Sequence, residues 1–333
     1  MSTRYTDEEW AKFISEVEKD VVVSKEPYRC PSLGGPALAA TIDHTLLKLD
    51  ARAVQFDDLC AEARVDGFAT VCVRPQWVQK CVNDLKSSNV KVRTHSREHP
   101  HPETDADAFY PTVLGCKRDR LPRGHLRSPA QGAVRNPFLI KHMSFLLTLR
   151  RETKQALHGG ASELDIVVNY EELKSGKYAS VYSELATLRL QAPHPILLKL
   201  IIETSQLDRA QIIAACTMAA AAKFDFVKTS TGFNGHGATE DHVRLMAACC
   251  ERLAISTNGE GKMRVKASGG IRTIEDALKM LEAGASRLGT SGGVWIVKEA
   301  HETAEQTRSL SPPSVHDRRG SRPSLETRLF TDY

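Results

Sequence analysis

The sequence predicts an α/β protein, a closed (β/α)8 barrel of the TIM type. Three observations carry that expectation. Short apolar runs alternate with amphipathic helical segments along most of the 333 residues, which is the pattern of parallel strands covered on their outside by helices. Seven such strand–helix beats favour a closed barrel over an open sheet. Two of the runs, in Phe224–Gly232 and Arg264–Gly270, reach a lysine just before a glycine turn, and barrel folds place their reactive groups at the carboxyl ends of strands.

The elements follow in order. Thr6 with Asp7, Glu8 and Glu9 is a helix start with acids in its first turn, and this helix runs to about Lys19 inside an N-terminal extension, residues 1–35. The barrel takes residues 36–305. Its predicted strands are Ala37–Ile42, Gly67–Val73, Leu164–Val168, Ile196–Ile202, Phe224–Val227, Met263–Ala267 and Arg287–Gly289, apolar without strict alternation. Helical patterns lie between them at Ala51–Val65, Glu171–Leu190, Gln206–Ala222, Thr239–Leu253 and Thr273–Ala283.

Residues 93–150 break the rhythm. They hold ten Lys and Arg, five Asp and Glu, five of the twelve histidines and six of the fifteen prolines. A structureless stretch of that length is uncommon inside a compact domain. Its later part, Phe138–Leu157, predicts a helix that stops at Gly159-Gly160. Residues 306–333, with Pro312-Pro313 and Arg318-Arg319-Gly320, predict a disordered tail.

Composition removes several classes. A net charge of +4 implies no nucleic-acid partner, and the arginines of the 93–150 block have no interleaved aromatics. No run approaches the roughly 20 apolar residues of a membrane span. The N-terminus is charged and lacks a signal core. The eight cysteines show no CxxC pair or framework spacing, so reduced thiols in a cytoplasmic protein are expected. His95, His99 and His101 with Cys116 fit no zinc-ligand spacing, and no metal is expected.

Lys228 and Lys266 carry the chemistry. A lysine at a strand end usually snorkels to solvent, but two on neighbouring strands suggest one nucleophilic amine and one cation that modulates it. Asp165 and Asp43 fall at or near strand ends too. Thr229–Gly232, Ser268–Gly270 and Gly289–Gly293 offer backbone N–H groups and hydroxyls, the last two ahead of helices, as a phosphate site would.

Four motifs in order, Thr41-Ile-Asp-His-Thr-Leu-Leu-Lys48, Glu163-Leu-Asp-Ile-Val-Val-Asn169, Phe226-Val-Lys-Thr-Ser-Thr-Gly232 and Val265-Lys-Ala-Ser-Gly-Gly-Ile-Arg272, resemble the deoxyribose-phosphate aldolase family over about residues 36–92 and 152–300. The resemblance implies a class I aldolase that reversibly cleaves 2-deoxy-D-ribose 5-phosphate to D-glyceraldehyde 3-phosphate and acetaldehyde, without a cofactor. It makes Lys228 the Schiff-base lysine and Lys266 the neighbour that lowers its pKa. Asp165 becomes the carboxylate that moves protons through a water, and Asp43 a supporting acid. Gly232, Gly269, Gly270 and Ser291 match phosphate contacts, and Cys72, Thr204 and the C-terminal Tyr333 match pocket positions; for Cys72 a small buried hydrophobe, and for Tyr333 a dangling terminus, is the preferred reading. The only partners expected are a phosphosugar and, as a homo-oligomer, further copies in a dimer or tetramer.

One departure stands out. The family's third strand continues from Val90-Lys-Val92 into a Gly-Phe-Pro segment that this chain lacks. The third strand is therefore expected to be replaced or disrupted, leaving an open barrel wall, and the block from Arg93 to be a retained intron or a misread gene. The alternatives are a catalytically impaired product of such a gene, or another phosphosugar lyase or isomerase on the same barrel.

Overall fold

Eight parallel strands close on themselves in chain order: β1 (Ile42–Leu46), β2 (Thr70–Val73), β3 (Lys91–His95), β4 (Glu163–Val167), β5 (Leu197–Ile201), β6 (Phe226–Lys228), β7 (Arg264–Ser268) and β8 (Ala285–Thr290). The computed structural model describes residues 5–95, 149–255 and 262–310. Closure follows from β1, which pairs with β2 on one side and β8 on the other. The helices are α1 (Asp7–Asp20), α2 (Pro36–Ala39), α3 (Ala53–Asp66), α4 (Val78–Asp84), α5 (149–158), α6 (Tyr170–Lys174), α7 (Tyr178–Gln191), α8 (Arg209–Ala221), α9 (Glu240–Ile255), α10 (Ile274–Glu282) and α11 (Gly293–Leu310).

The expectation of a replaced or disrupted third strand is corrected. Lys91–His95 forms β3, with Val73 opposite Thr94 on β2 and His95 opposite Asp165 on β4. The first three residues of the atypical block therefore complete the barrel wall. Arg93, Thr94 and His95 are all buried, and no edge is left open there.

Other boundaries move for local reasons. Residues 37–39, expected in the first strand, are helical, because Pro36 sits at the start of α2, where its fixed φ suits a first turn. The helix expected over Glu171–Leu190 is two helices, α6 and α7, with Gly176 at φ 71° between them. The one expected from Gln206 begins at Arg209, because Asp208 caps it by accepting from the Gln211 amide at 2.8 Å. Of Phe138–Leu157, only 149–157 lies within the described residues, as part of α5. The final helix α11 runs through Leu310, into the stretch expected to be tail.

The strands do alternate, in an unusual sense. β4 reads Glu163-Leu164-Asp165-Ile166, β5 Leu198-Lys199-Leu200 and β7 Arg264-Val265-Lys266-Ala267. The apolar members join the hydrophobic core beneath the helices. The charged members point into the barrel, since their ion pairs cross it from β7 to β1 and from β8 to β4. Branched aliphatics normally fill such an interior. α1 starts with a capping box formed by Thr6 and Glu9. It buries Trp10, Ile14 and Val17, spaced for one helix face, against α7, α8 and α9, and burying each is worth about 1.5–3 kcal/mol.

Candidate active site

The strand register brings the two lysines together. Lys228 ends β6 directly opposite Lys266 on β7. Each Nζ lies 3.1 Å from the same oxygen, Oδ2 of Asp165 on β4. Lys266 also reaches Asp43 Oδ2 on β1 at 2.9 Å. Asp43, Asp165 and Lys266 have no exposed surface, and Lys228 keeps 2%. The four ionisable residues expected to act together do converge.

Around them lies a network that the motifs did not announce. Arg93 on β3 sends NH1 to Asp43 Oδ2 and, at 3.0 Å, to Asp165 Oδ2. Arg287 on β8 bonds Asp43 Oδ1 at 2.6 Å, and Thr70 donates its hydroxyl to the same oxygen at 2.7 Å. Lys199 on β5 pairs with Glu163 and lies 3.6 Å from Asp165 Oδ1. Five cations thus face three carboxylates in the interior. Buried charges persist only when paired and hydrogen-bonded.

The cations fix the state of the acids. Burial by itself raises the Asp43 carboxyl, but Arg93, Arg287 and Lys199 outweigh it and hold the group well below the usual carboxylate range. Burial also pushes Asp165 up. Arg93, then Lys228 and Lys199, outweigh both that and the repulsion from Asp43, so Asp165 too stays ionised below its ordinary range. Arg93 is held charged, the pull of Asp165 and Asp43 exceeding its own desolvation.

The turns after β6 and β7 are stitched together above this layer. The Thr229 hydroxyl donates to the Ser268 carbonyl at 3.1 Å and accepts from the Ser268 amide at 3.0 Å. The Ser268 hydroxyl donates to the Ser230 carbonyl at 2.6 Å. A Cβ on Gly269 would stand 2.9 Å from Gly237 Cα and 3.6 Å from Gly232 Cα. One on Gly237 would stand 2.6 Å from the Gly269 carbonyl oxygen. Both have positive φ, so the three backbones approach as only glycine permits. Gly270 continues this turn. Ser291 is exposed at the start of the neighbouring turn between β8 and α11, where a Cβ on Gly292 would stand 3.6 Å from the Arg272 carbonyl oxygen.

The remaining expected pocket residues fall in different places. Cys72 is fully buried on β2; burial raises its thiol, which faces Arg93. That placement agrees with a packing role. Thr204 is buried, its hydroxyl without a hydrogen bond among the described residues, and its amide donates to the Thr229 carbonyl at 2.9 Å. Tyr333, His99, His101 and Cys116 lie outside the described residues. A cavity of about 270 Å³ opens beside the carboxyl ends of β2 and β3, with Leu49, Arg74, His95 and Arg151 among its walls.

Sequence reasoning missed Arg93, Lys199, Glu163, Arg287 and also Glu203. Glu203 adopts φ 54°, which is rare for a residue with a side chain, and its carboxylate accepts from the Thr231 amide at 3.2 Å. A signal existed for two of them: Glu163 and Lys199 each sit two residues from, or in register with, a charged position on the strand. A charge at every second strand residue marks one face of a sheet.

Comparison with known proteins supports this geometry. The family described as DeoC/LacD family aldolase matches residues 135–301. A deoxyribose-phosphate aldolase of Coccidioides immitis is 40% identical over 294 residues, 88% of this chain and 92% of that protein. One from Brevibacillus brevis is 38% identical over 262 residues, 79% of this chain and 96% of that protein. Among solved structures, a candidate deoxyribose-phosphate aldolase from Coccidioides immitis superposes with a TM-score of 0.70 at 38% identity, covering 90% of this chain and 99% of that one. The tetrameric deoxyribose phosphate aldolase from Aeropyrum pernix gives 0.58 at 25% identity, over 86% and 97%.

Proposed function

Because the chain belongs to the DeoC/LacD family of aldolases, we propose that it cleaves 2-deoxy-D-ribose 5-phosphate reversibly to D-glyceraldehyde 3-phosphate and acetaldehyde through a Schiff base on Lys228. The observation that carries this reading is the pair of buried amines, Lys228 and Lys266, sharing Asp165 Oδ2 at 3.1 Å each.

The Lys228 amine adds to the substrate's C1 aldehyde, and loss of water gives an iminium. Asp165, kept ionised by its cationic neighbours, takes the C3 hydroxyl proton through a water. The C2–C3 bond breaks, its electrons flow into the iminium, and glyceraldehyde 3-phosphate leaves. The enamine that remains takes a proton at C2, and water hydrolyses the adduct to acetaldehyde and free lysine. Lys266 ties Asp43 to Asp165, and Asp165 in turn pairs with the reacting amine. The turns at Gly232, Gly269 and Gly270, with Ser291, bind the phosphate through backbone N–H groups.

Names carried by the relatives support the substrate, and the tetrameric relative supports a homo-oligomer, dimer or tetramer. A cytoplasmic location accords with the seven free thiols of the described residues. Borohydride trapping with acetaldehyde tests the mechanism: a two-carbon adduct on Lys228 is expected, absent in Lys228→Met. An adduct elsewhere, or none, removes the Schiff-base reading; an adduct without turnover of deoxyribose 5-phosphate removes the substrate.

A further inference from the structure

Asp165 presents two unequal oxygens to the barrel interior. Its Oδ2 meets Arg93 NH1 at 3.0 Å and both Lys228 and Lys266 at 3.1 Å. Its Oδ1 accepts no hydrogen bond among the described residues, and Lys199 lies 3.6 Å from it. A carboxylate has about four lone-pair sites; here three cations crowd one oxygen, Lys266 donating it a hydrogen bond, while the other is left open. Of those three cations, Lys228 and Lys266 belong to the lysine pair. Arg93 is the third, and it alone reaches the reaction centre from the strand opposite them in the wall, β3. Through the same NH1 it also holds Asp43 Oδ2.

The geometry assigns to Arg93 the part of a positioning residue, which ties Asp165 Oδ2 to Asp43 Oδ2 and thereby leaves Asp165 Oδ1 as the oxygen that carries protons to and from substrate. This rests on the aldolase reading and adds to it a residue outside the lysine and aspartate motifs. Three features support it. Arg93 is fully buried, so its cost of desolvation is set against these two carboxylates. A guanidinium is planar and permanently charged, so one nitrogen can meet both carboxylates without offering a nucleophilic amine. The side chain is also anchored from β2, where the Cys72 thiol faces it.

The charged groups around the pair come from every strand except β2, whose titratable neighbour is the Cys72 thiol. Asp165 faces Arg93, Lys199, Lys228, Lys266 and Asp43; Asp43 faces Arg93, Arg287, Lys199 and Lys266. Without Arg93 each acid keeps other cations, so the site stays ionised near neutrality. What is lost is one of two bridges between the same pair of oxygens, Lys266 being the other, and with it the precision with which Asp165 is oriented and part of the downward hold on it.

The experiment uses the full chain and acetaldehyde. End-point borohydride labelling of Lys228 reports the imine. Exchange of the acetaldehyde methyl protons in D2O reports proton transfer at C2. In Arg93→Gln, exchange is expected to fall roughly 100-fold, the effect of misplacing a reacting group by about 1 Å. End-point labelling stays at the wild-type level, and the acid limb of the exchange rate moves to higher pH. Arg93→Lys, which restores charge but reaches fewer acceptors, recovers part of the loss. Wild-type exchange and pH profile in Arg93→Gln overturn the assignment. So does loss of labelling in parallel with exchange, which marks a collapsed site. Should Arg93→Gln fail to fold, Arg93→Lys decides: reduced exchange with intact labelling supports the role, and wild-type exchange overturns it. No labelling in the wild type is a different result, which removes the aldolase reading and this assignment with it.

Discussion

Replacing Asp43 by asparagine tests whether the buried charges hold the barrel together. The carboxylate has no exposed surface. Its Oδ1 accepts from Thr70 at 2.7 Å and Arg287 at 2.6 Å, and its Oδ2 from Arg93 and, at 2.9 Å, from Lys266. Asparagine keeps the volume and can keep Oδ1. Its amide nitrogen, however, turns Oδ2 from an acceptor into a donor that faces two cations. Five interior cations are then left with two carboxylates. Breaking a buried pair from one side costs about 3–5 kcal/mol, against a total stability of about 5–15 kcal/mol. With a urea slope of about 2–3 kcal/mol/M, the unfolding midpoint of Asp43→Asn falls by roughly 1–2.5 M at an unchanged slope. Thr70→Val removes one hydrogen bond to the same carboxylate and costs about 1.5–3 kcal/mol, so it ranks second. A loss below about 0.5 kcal/mol for Asp43→Asn, the level of an ordinary surface change, would refute the view that this network stabilises the fold.

Acid should act on the same groups. Asp43 and Asp165 have folded pKa values below their unfolded ones, so the stability they confer is present above about pH 4 and is lost as pH falls further; urea midpoints at pH 7, 4 and 3 check the slope. Glu184 on α7 has the opposite sign: burial, with help from Glu172, raises it to about 8, and its Oε2 has no partner among the described residues. Its contribution is full below pH 4.5 and disappears as pH rises through about 8, so Glu184→Gln should match wild type near pH 4 and exceed it at pH 9 by about 1–3 kcal/mol. Gly237→Ala forces a Cβ to 2.6 Å from the Gly269 carbonyl oxygen at positive φ. With about 1–3 kcal/mol of strain, KM for deoxyribose 5-phosphate should rise at least about tenfold while turnover of unphosphorylated deoxyribose changes little. Sequencing the transcript examines the origin of residues 93–150: a message lacking their codons would also lose Arg93, Thr94 and His95, three of the five residues of β3.

Much of this was legible from residues alone. Lys228 and Lys266 could be found because each breaks an apolar run shortly before a glycine turn, and Asp165 and Asp43 because each interrupts an apolar stretch, although Lys266, Asp165 and Asp43 lie inside their strands rather than at the ends. The turn glycines were legible for the same reason. The interior network was harder, because strands with an apolar partner at every second position look like ordinary barrel strands until one asks which face is inside. Lys199 sits in Leu197–Ile201, a run that hydrophobicity alone assigns to the core. Arg93 was hidden differently. Its neighbours from Ser96 onward share nothing with a strand pattern, and composition drew the boundary three residues early. Pairing with β2 and β4, which is non-local, decides the end of β3. Glu203 has no local signature, since a left-handed φ is imposed by the turns it joins.

The distribution of sign along the chain has one more consequence. The three interior carboxylates, Asp43, Glu163 and Asp165, all arrive with the first four strands, accompanied only by Arg93, whereas Lys199, Lys228, Lys266 and Arg287 arrive with the last four. Cut midway, the molecule would yield one half whose barrel-lining face is mainly acidic and another whose lining face is basic, each with like charges crowded on a concave surface and no means of neutralising them. Neither half-barrel should fold in isolation, yet the two lining faces, once close, should attract most strongly at low ionic strength. Salt would then act on their reassembly in a way it cannot act on the intact ring, whose charges are already sealed from solvent.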